Sequence, residues 1–170
     1  MDSRRNLLAR LLAGLQVGIL GGLATIAWFL ALSKWYFSGP WTLLNLFSIL
    51  LRRGAPWTNT LSFATMTGAA LHILACGMMG MFVGWVLPRP GVKSRLSLAG
   101  VTFGMVLSLM IYEFFWKRHL PRLTDQVAPG AILMVHIIIG ACIGLFPRFY
   151  LQLAPGMPGI EAAPDDPRQD

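Results

Sequence analysis

Three side chains able to take part in chemistry lie inside otherwise apolar stretches of this sequence: His72, Glu113 and His136. Ionisable groups are costly in an apolar environment, and inside apolar helices they often mark a functional site. Near neutral pH an imidazole can bind a metal, carry a proton or form hydrogen bonds, and a carboxylate can exchange a proton with it. Three hypotheses for these residues follow.

In the first hypothesis the polar groups are structural: each imidazole bonds a backbone carbonyl, a hydroxyl such as that of Thr67, or Glu113, and holds the helices in register. In the second, His72 and His136 bind a cofactor, either a haem b iron between them or the metal of a chlorophyll or bacteriochlorophyll. In the third, all three residues form a path for protons or ions. The sequence favours the first hypothesis, in which no cofactor is expected.

Four long apolar runs carry these residues, at about 11–32, 61–87, 96–116 and 128–146. Each run is near or above the ~20 residues that a helix needs to cross a bilayer core of ~30 Å. The sequence therefore predicts an all-α integral membrane protein, a four-transmembrane-helix bundle in one domain, 1–150. If successive runs alternate in direction, His72 and His136 lie at nearly one depth, with Glu113 on the same side and nearer the surface.

The charge of this chain fits a membrane protein better than a nucleic-acid-binding one. It has 170 residues, 55% of them apolar and 12% charged, with a formal net charge of +7. The basic residues sit mainly at the ends of the apolar runs, where such side chains anchor in lipid headgroups and set topology. Their distribution predicts that both termini lie in the cytoplasm. The cytoplasmic set comprises Arg4, Arg5, Arg10, Arg89, Lys93, Arg95 and Arg148.

The connection between the first two runs contains a further predicted helix, at about 41–53. Polar residues recur there at three- and four-residue steps, which predicts a short amphipathic helix lying in the membrane interface with Asn45 and Arg52 toward water. Its apolar side could dock another subunit through Trp41, Leu44 and Phe47. At the other end of the chain, residues 151–170 are predicted to be a flexible Pro-rich tail.

Small residues recur at four-residue intervals in every run, beginning with Gly14, Gly18 and Gly22. Such rows let helix backbones approach closely, so we expect a compact bundle. Cys76 and Cys142 lie inside runs two and four and are interpreted as packing residues. The sequence contains no nucleophile constellation, phosphate-binding loop or zinc motif. It therefore predicts neither an enzyme nor a metal site.

The layout loosely resembles the YagU-type family of small four-span bacterial inner-membrane proteins. The residues that carry this resemblance are His72-Ile73-Leu74, Gly100-Val-Thr-Phe-Gly104 and His136. The resemblance implies the four-span topology and an inner-membrane role.

The functional prediction from these features is a non-catalytic accessory subunit of a larger bacterial membrane complex, respiratory or photosynthetic. It rests on the small mass outside the apolar runs, the small-residue faces and the apolar helix at 41–53. Its partners would be lipids and other membrane subunits, not nucleic acid. The alternative is a small independent transporter or proton-handling protein that uses His72, His136 and Glu113.

Overall fold

The structure of the protein, a computed structural model, describes residues 3–37, 39–51, 58–87, 93–119, 124 and 127–153. Its α-helices are α1 (Ser3–Tyr36), α2 (Thr42–Phe47), α3 (Phe63–Val86), α4 (Lys93–Met110), α5 (Lys117–His119), α6 (Pro129–Ile143) and α7 (Phe146–Leu153). A 3₁₀ turn, Ser48–Leu50, extends α2, and a π-helical segment, Ile111–Trp116, joins α4 to α5. No strand occurs in the described part of the chain.

Four helical segments are long and apolar enough to cross a membrane: Arg4–Tyr36, Phe63–Val86, Leu98–Trp116 and Pro129–Leu153. The prediction of an all-helical chain with four such helices is confirmed. The outward surface of these helices is strongly apolar; Leu74, Met78 and Phe114, for example, are 61%, 62% and 71% exposed. Exposed apolar surface of this extent suits lipid better than water. The predicted tail, 151–170, falls almost wholly outside the described residues.

The four long helices pack in the order α3, α1, α6, α4. Glycines allow the closest contacts: Gly80 of α3 faces the backbone of Gly14 and Gly18 on α1, and Gly140 of α6 faces that of Gly100 on α4. Helices α3 and α4 lie at the two ends of this order and do not pack closely on each other. This arrangement leaves a cleft between α3 and α4, with α6 behind it.

Helix α2 differs from the surface helix that the sequence predicts. Thr42 through Leu46 are all buried, and Asn45 is fully buried, so the prediction that Asn45 faces water is wrong. Gly68 lets the Leu44 backbone approach α3, and the Leu43 amide donates to the Ser33 hydroxyl of α1 at 3.1 Å. The helix is therefore part of the bundle interior. Arg52 and the end of the predicted helix lie outside the described residues.

The polar residues that the sequence predicts on α2 are present, but Asn45 forms hydrogen bonds with a loop of the same chain, residues 58–60, rather than with water. The Asn45 amide nitrogen donates to the carbonyls of Thr58 and Thr60 at 2.7 and 3.1 Å, and its oxygen accepts from the Thr65 hydroxyl. A polar stripe predicts only that its groups need partners, and here protein groups take the place of water. Of the predicted docking residues, Leu44 is 2% exposed and Phe47 packs against the rings of α1 and α3.

Candidate functional site

A cavity of about 390 Å³ occupies the cleft between α3 and α4. Its walls are apolar and rich in aromatic rings, and both predicted histidines, His72 and His136, line it. The aromatic residues in its lining are Phe29, Phe47, Phe103, Phe115 and Trp116. The structure thus places in the wall of one cavity the two histidines that the sequence predicts at one depth. His72 lies on α3 and His136 on α6.

His72 on α3 contacts two other helices, α1 and α2. Its Nε2 atom lies 2.6 Å from the hydroxyl of Thr25 on α1 and 3.6 Å from Sγ of Cys76 one turn along α3. The ring stands edge-on to Phe29, with centroids 5.0 Å apart, and contacts Phe47 at 5.3 Å. These contacts fix the ring orientation and tie α3 to α1.

His136 has one hydrogen bond among the described residues, from Nδ1 to the carbonyl of Ile132 at 3.0 Å. That carbonyl lies one turn back in the same helix, so the bond orients the ring without linking two helices. The backbone of His136 is also where Gly104 of α4 makes its closest approach. Both His136 and His72 are 8% exposed.

Glu113 is separate from the histidines. It does not line the cavity and pairs with Lys117 one turn along the helix, at 2.7 Å, with both side chains about half exposed. The hydrogen bond from Lys117 to Glu113 raises the pKa of the lysine, which stays charged at neutral pH. The three-residue path proposed for protons or ions is therefore not assembled in this structure. Among the described residues, no group of three or more potential metal ligands occurs either.

Thr25 is the residue of this site that the sequence analysis missed. Its side chain is fully buried, and its hydroxyl lies 3.0 Å from the carbonyls of both Gly21 and Gly22. A signal was present, because Thr25 continues the row of Gly14, Gly18 and Gly22 along the α1 face that packs on α3. A polar residue that continues a small-residue row is a candidate partner for a polar residue on the neighbouring helix.

The bond between Thr25 and His72 gives a first prediction. We expect a double-mutant cycle with Thr25→Val and His72→Leu to give a coupling free energy of about 0.6 kcal/mol, the average for hydrogen bonds between membrane helices, and no more than about 1.7 kcal/mol. Denaturant unfolding in mild detergent measures it. The His72→Gln variant should cost about 1 kcal/mol or less, because an amide can replace the bond. Strictly additive costs in the cycle would show that the two residues do not interact.

This chain matches no protein-family model, no curated protein and no solved structure. The resemblance to the YagU-type family therefore stays a prediction.

Proposed function

We propose that this protein is an integral protein of the bacterial inner membrane, with four spans and cytoplasmic termini. We further propose that it acts as a non-catalytic accessory subunit of a larger energy-converting complex. The observation that carries the proposal is that the rest of the chain buries the four apolar helices to different extents. Within an apolar 18-residue stretch of each helix, 39% of the residues are buried in the first and fourth helices but only 17% in the third.

The third helix, α4, offers a continuous apolar face on the side away from the cavity. Val106, Leu109 and Met110 are 52%, 64% and 55% exposed, and steps of three and four residues place them on one side of the helix. Helix association within a bilayer depends on such packing faces rather than on a hydrophobic driving force. A neighbouring subunit's helix on this face would give α4 the cover that this chain alone does not supply.

The proposal is tested by purifying the protein from its native membrane in a mild detergent and measuring the mass of the particle. We expect it to elute with other membrane subunits. A bulky substitution on the α4 face, Leu109→Trp, should release the partners, whereas Leu74→Trp on the exposed side of α3 should not. A wild-type particle with the mass of the lone chain in detergent would contradict the proposal.

The alternative, a small proton-handling or transport protein, has less support from the geometry. Its three proposed residues do not meet, because Glu113 is paired with Lys117 outside the cavity. A lone particle that moves protons with a dependence on His72 and His136 would favour it.

A further inference from the structure

The hydrogen bonds of the two histidines leave one nitrogen of each ring without a protein partner among the described residues. A carbonyl only accepts, so Nδ1 of His136 must carry the proton in its bond to Ile132. In the neutral ring, the Nε2 atom of His136 then holds an unprotonated lone pair. That atom has no hydrogen-bond partner among the described residues.

The same reasoning applies to His72 through Thr25. The Thr25 hydroxyl has one hydrogen and lies 3.0 Å from two carbonyls, those of Gly21 and Gly22. Donation to these carbonyls leaves the hydroxyl oxygen to accept from the Nε2–H of His72. The Nδ1 atom of His72 is then a second lone pair without a described partner.

The cavity therefore offers two imidazole acceptors in an otherwise apolar, aromatic-rich enclosure. Each histidine is more than nine-tenths buried, and the other polar side-chain groups among the described lining residues are the Cys76 thiol, a weak donor, and the Trp116 indole N–H, which only donates. Buried polar groups are normally satisfied, so a matching ligand would bring two hydrogen-bond donors on an uncharged, flat and apolar body.

We propose that this cavity binds a lipid-soluble hydroquinone. Its two ring hydroxyls would donate to Nε2 of His136 and Nδ1 of His72, and its ring would pack among the aromatic side chains. This inference goes beyond the proposed accessory role and does not depend on it. It concerns binding and includes no redox step.

The size of the cavity suits a small-molecule ligand. It holds about 390 Å³, within the ~300–1,000 Å³ typical of small-molecule sites. A second apolar cavity of about 190 Å³ shares Phe103 and Ile143 with it and extends the cleft toward Val86, along the path an isoprenoid tail would take.

The haem hypothesis from the sequence fits these residues less well. The Nε2 atom of His72, the nitrogen that most readily reaches a metal, is taken by Thr25. The described lining residues include no Lys or Arg to pair with haem propionates.

The proposal predicts that the cavity binds the reduced form of the ligand, the quinol, more tightly than the oxidised form, the quinone. A quinone presents carbonyl lone pairs to the two imidazole lone pairs, so the hydrogen bonds are lost. One such bond is worth about tenfold in affinity. We expect a short-tailed 1,4-benzoquinol (2,3-dimethoxy-5-methyl-6-decyl) to bind at least tenfold more tightly than the corresponding quinone.

The experiment uses the full chain in phosphatidylcholine nanodiscs, titrated anaerobically with the decyl quinol or the quinone and read by calorimetry. His136→Leu and His72→Leu should each weaken quinol binding about tenfold, whereas His136→Gln should retain most of it, because the amide oxygen accepts. Glu113→Gln, outside the cavity, is the matched control and should bind as wild type does. A size-exclusion profile of each variant shows whether the fold is intact.

Equal affinity for quinol and quinone would overturn the proposal, as would unchanged quinol binding in both leucine variants. A Soret or chlorin band in the purified protein would also overturn it, by placing a tetrapyrrole in the cleft. If a leucine variant does not fold, the comparison of quinol with quinone on wild type decides alone. Because the assay uses the isolated chain, its outcome is independent of whether the protein purifies with partner subunits.

Discussion

The Asn45→Leu variant is expected to lose about 3 kcal/mol of unfolding free energy. The substitution keeps the number and branching of the side-chain heavy atoms but removes every side-chain hydrogen bond that Asn45 makes among the described residues. The substitution removes the Asn45 partner of three groups: the carbonyls of Thr58 and Thr60 and the Thr65 hydroxyl. An unsatisfied buried polar group costs about 1–3 kcal/mol, and the figure for Thr60 is reduced because that residue is exposed.

Denaturant unfolding of the purified protein in mild detergent measures this loss. Thr67→Val is the matched control, because it removes one hydroxyl whose single hydrogen bond among the described residues goes to the Phe63 carbonyl of its own helix, at a partly exposed position. We expect the control to change the free energy of unfolding by about 0.5 kcal/mol or less. If Asn45→Leu were as stable as this control, the loop 58–60 would not be held by α2.

The Gly80→Ala variant is expected to destabilise the protein by about 2–3 kcal/mol. A methyl group at this position would overlap the Gly14 carbonyl and the Gly18 backbone, and a backbone has no rotamer by which to move aside. Helices α1 and α3 would have to separate, and they would lose packing along their whole shared face.

Gly130→Ala provides the matched control for this substitution. A methyl group at Gly130 would meet nothing within 4 Å, so the same chemical change should be neutral or slightly stabilising. Thermal unfolding of both variants in one detergent makes the comparison. Equal midpoints for Gly80→Ala and Gly130→Ala would show that the close approach of α1 and α3 does not contribute to stability.

The sequence was sufficient to predict the long helices, because hydropathy over ~20 residues is a strong local signal. The four-residue glycine spacing also indicated which faces come together. Partner choice was harder to predict. Arg10 was assigned to lipid headgroups, whereas its Nε donates to the Gly84 carbonyl at 3.0 Å near the end of α3. A basic residue at a helix end can either anchor in lipid headgroups or donate to a carbonyl of a neighbouring helix. Only the three-dimensional arrangement shows which of these Arg10 does.

The site was predictable in part for the same reason. The matched depths of His72 and His136 follow from residue counting, and both residues line one cavity. The role of Thr25 and the burial of α2 depend on contacts between residues distant in sequence, which no local pattern encodes. The separation of Glu113 from the histidines also depends on such contacts. The glycine contacts of α4 with α6 set which face of α4 turns toward the cavity.

The close glycine contacts divide the four long helices into two pairs, α1 with α3 and α4 with α6. The pairs follow the order of synthesis, because α1 and α3 are both complete before α4 is made. In the membrane location that we propose, the first pair can therefore assemble while the second half of the chain is still on the ribosome. The second pair then needs to find only one docking surface, the side of α1 that contacts α6. The cavity between the pairs therefore forms only when the second pair docks on the first.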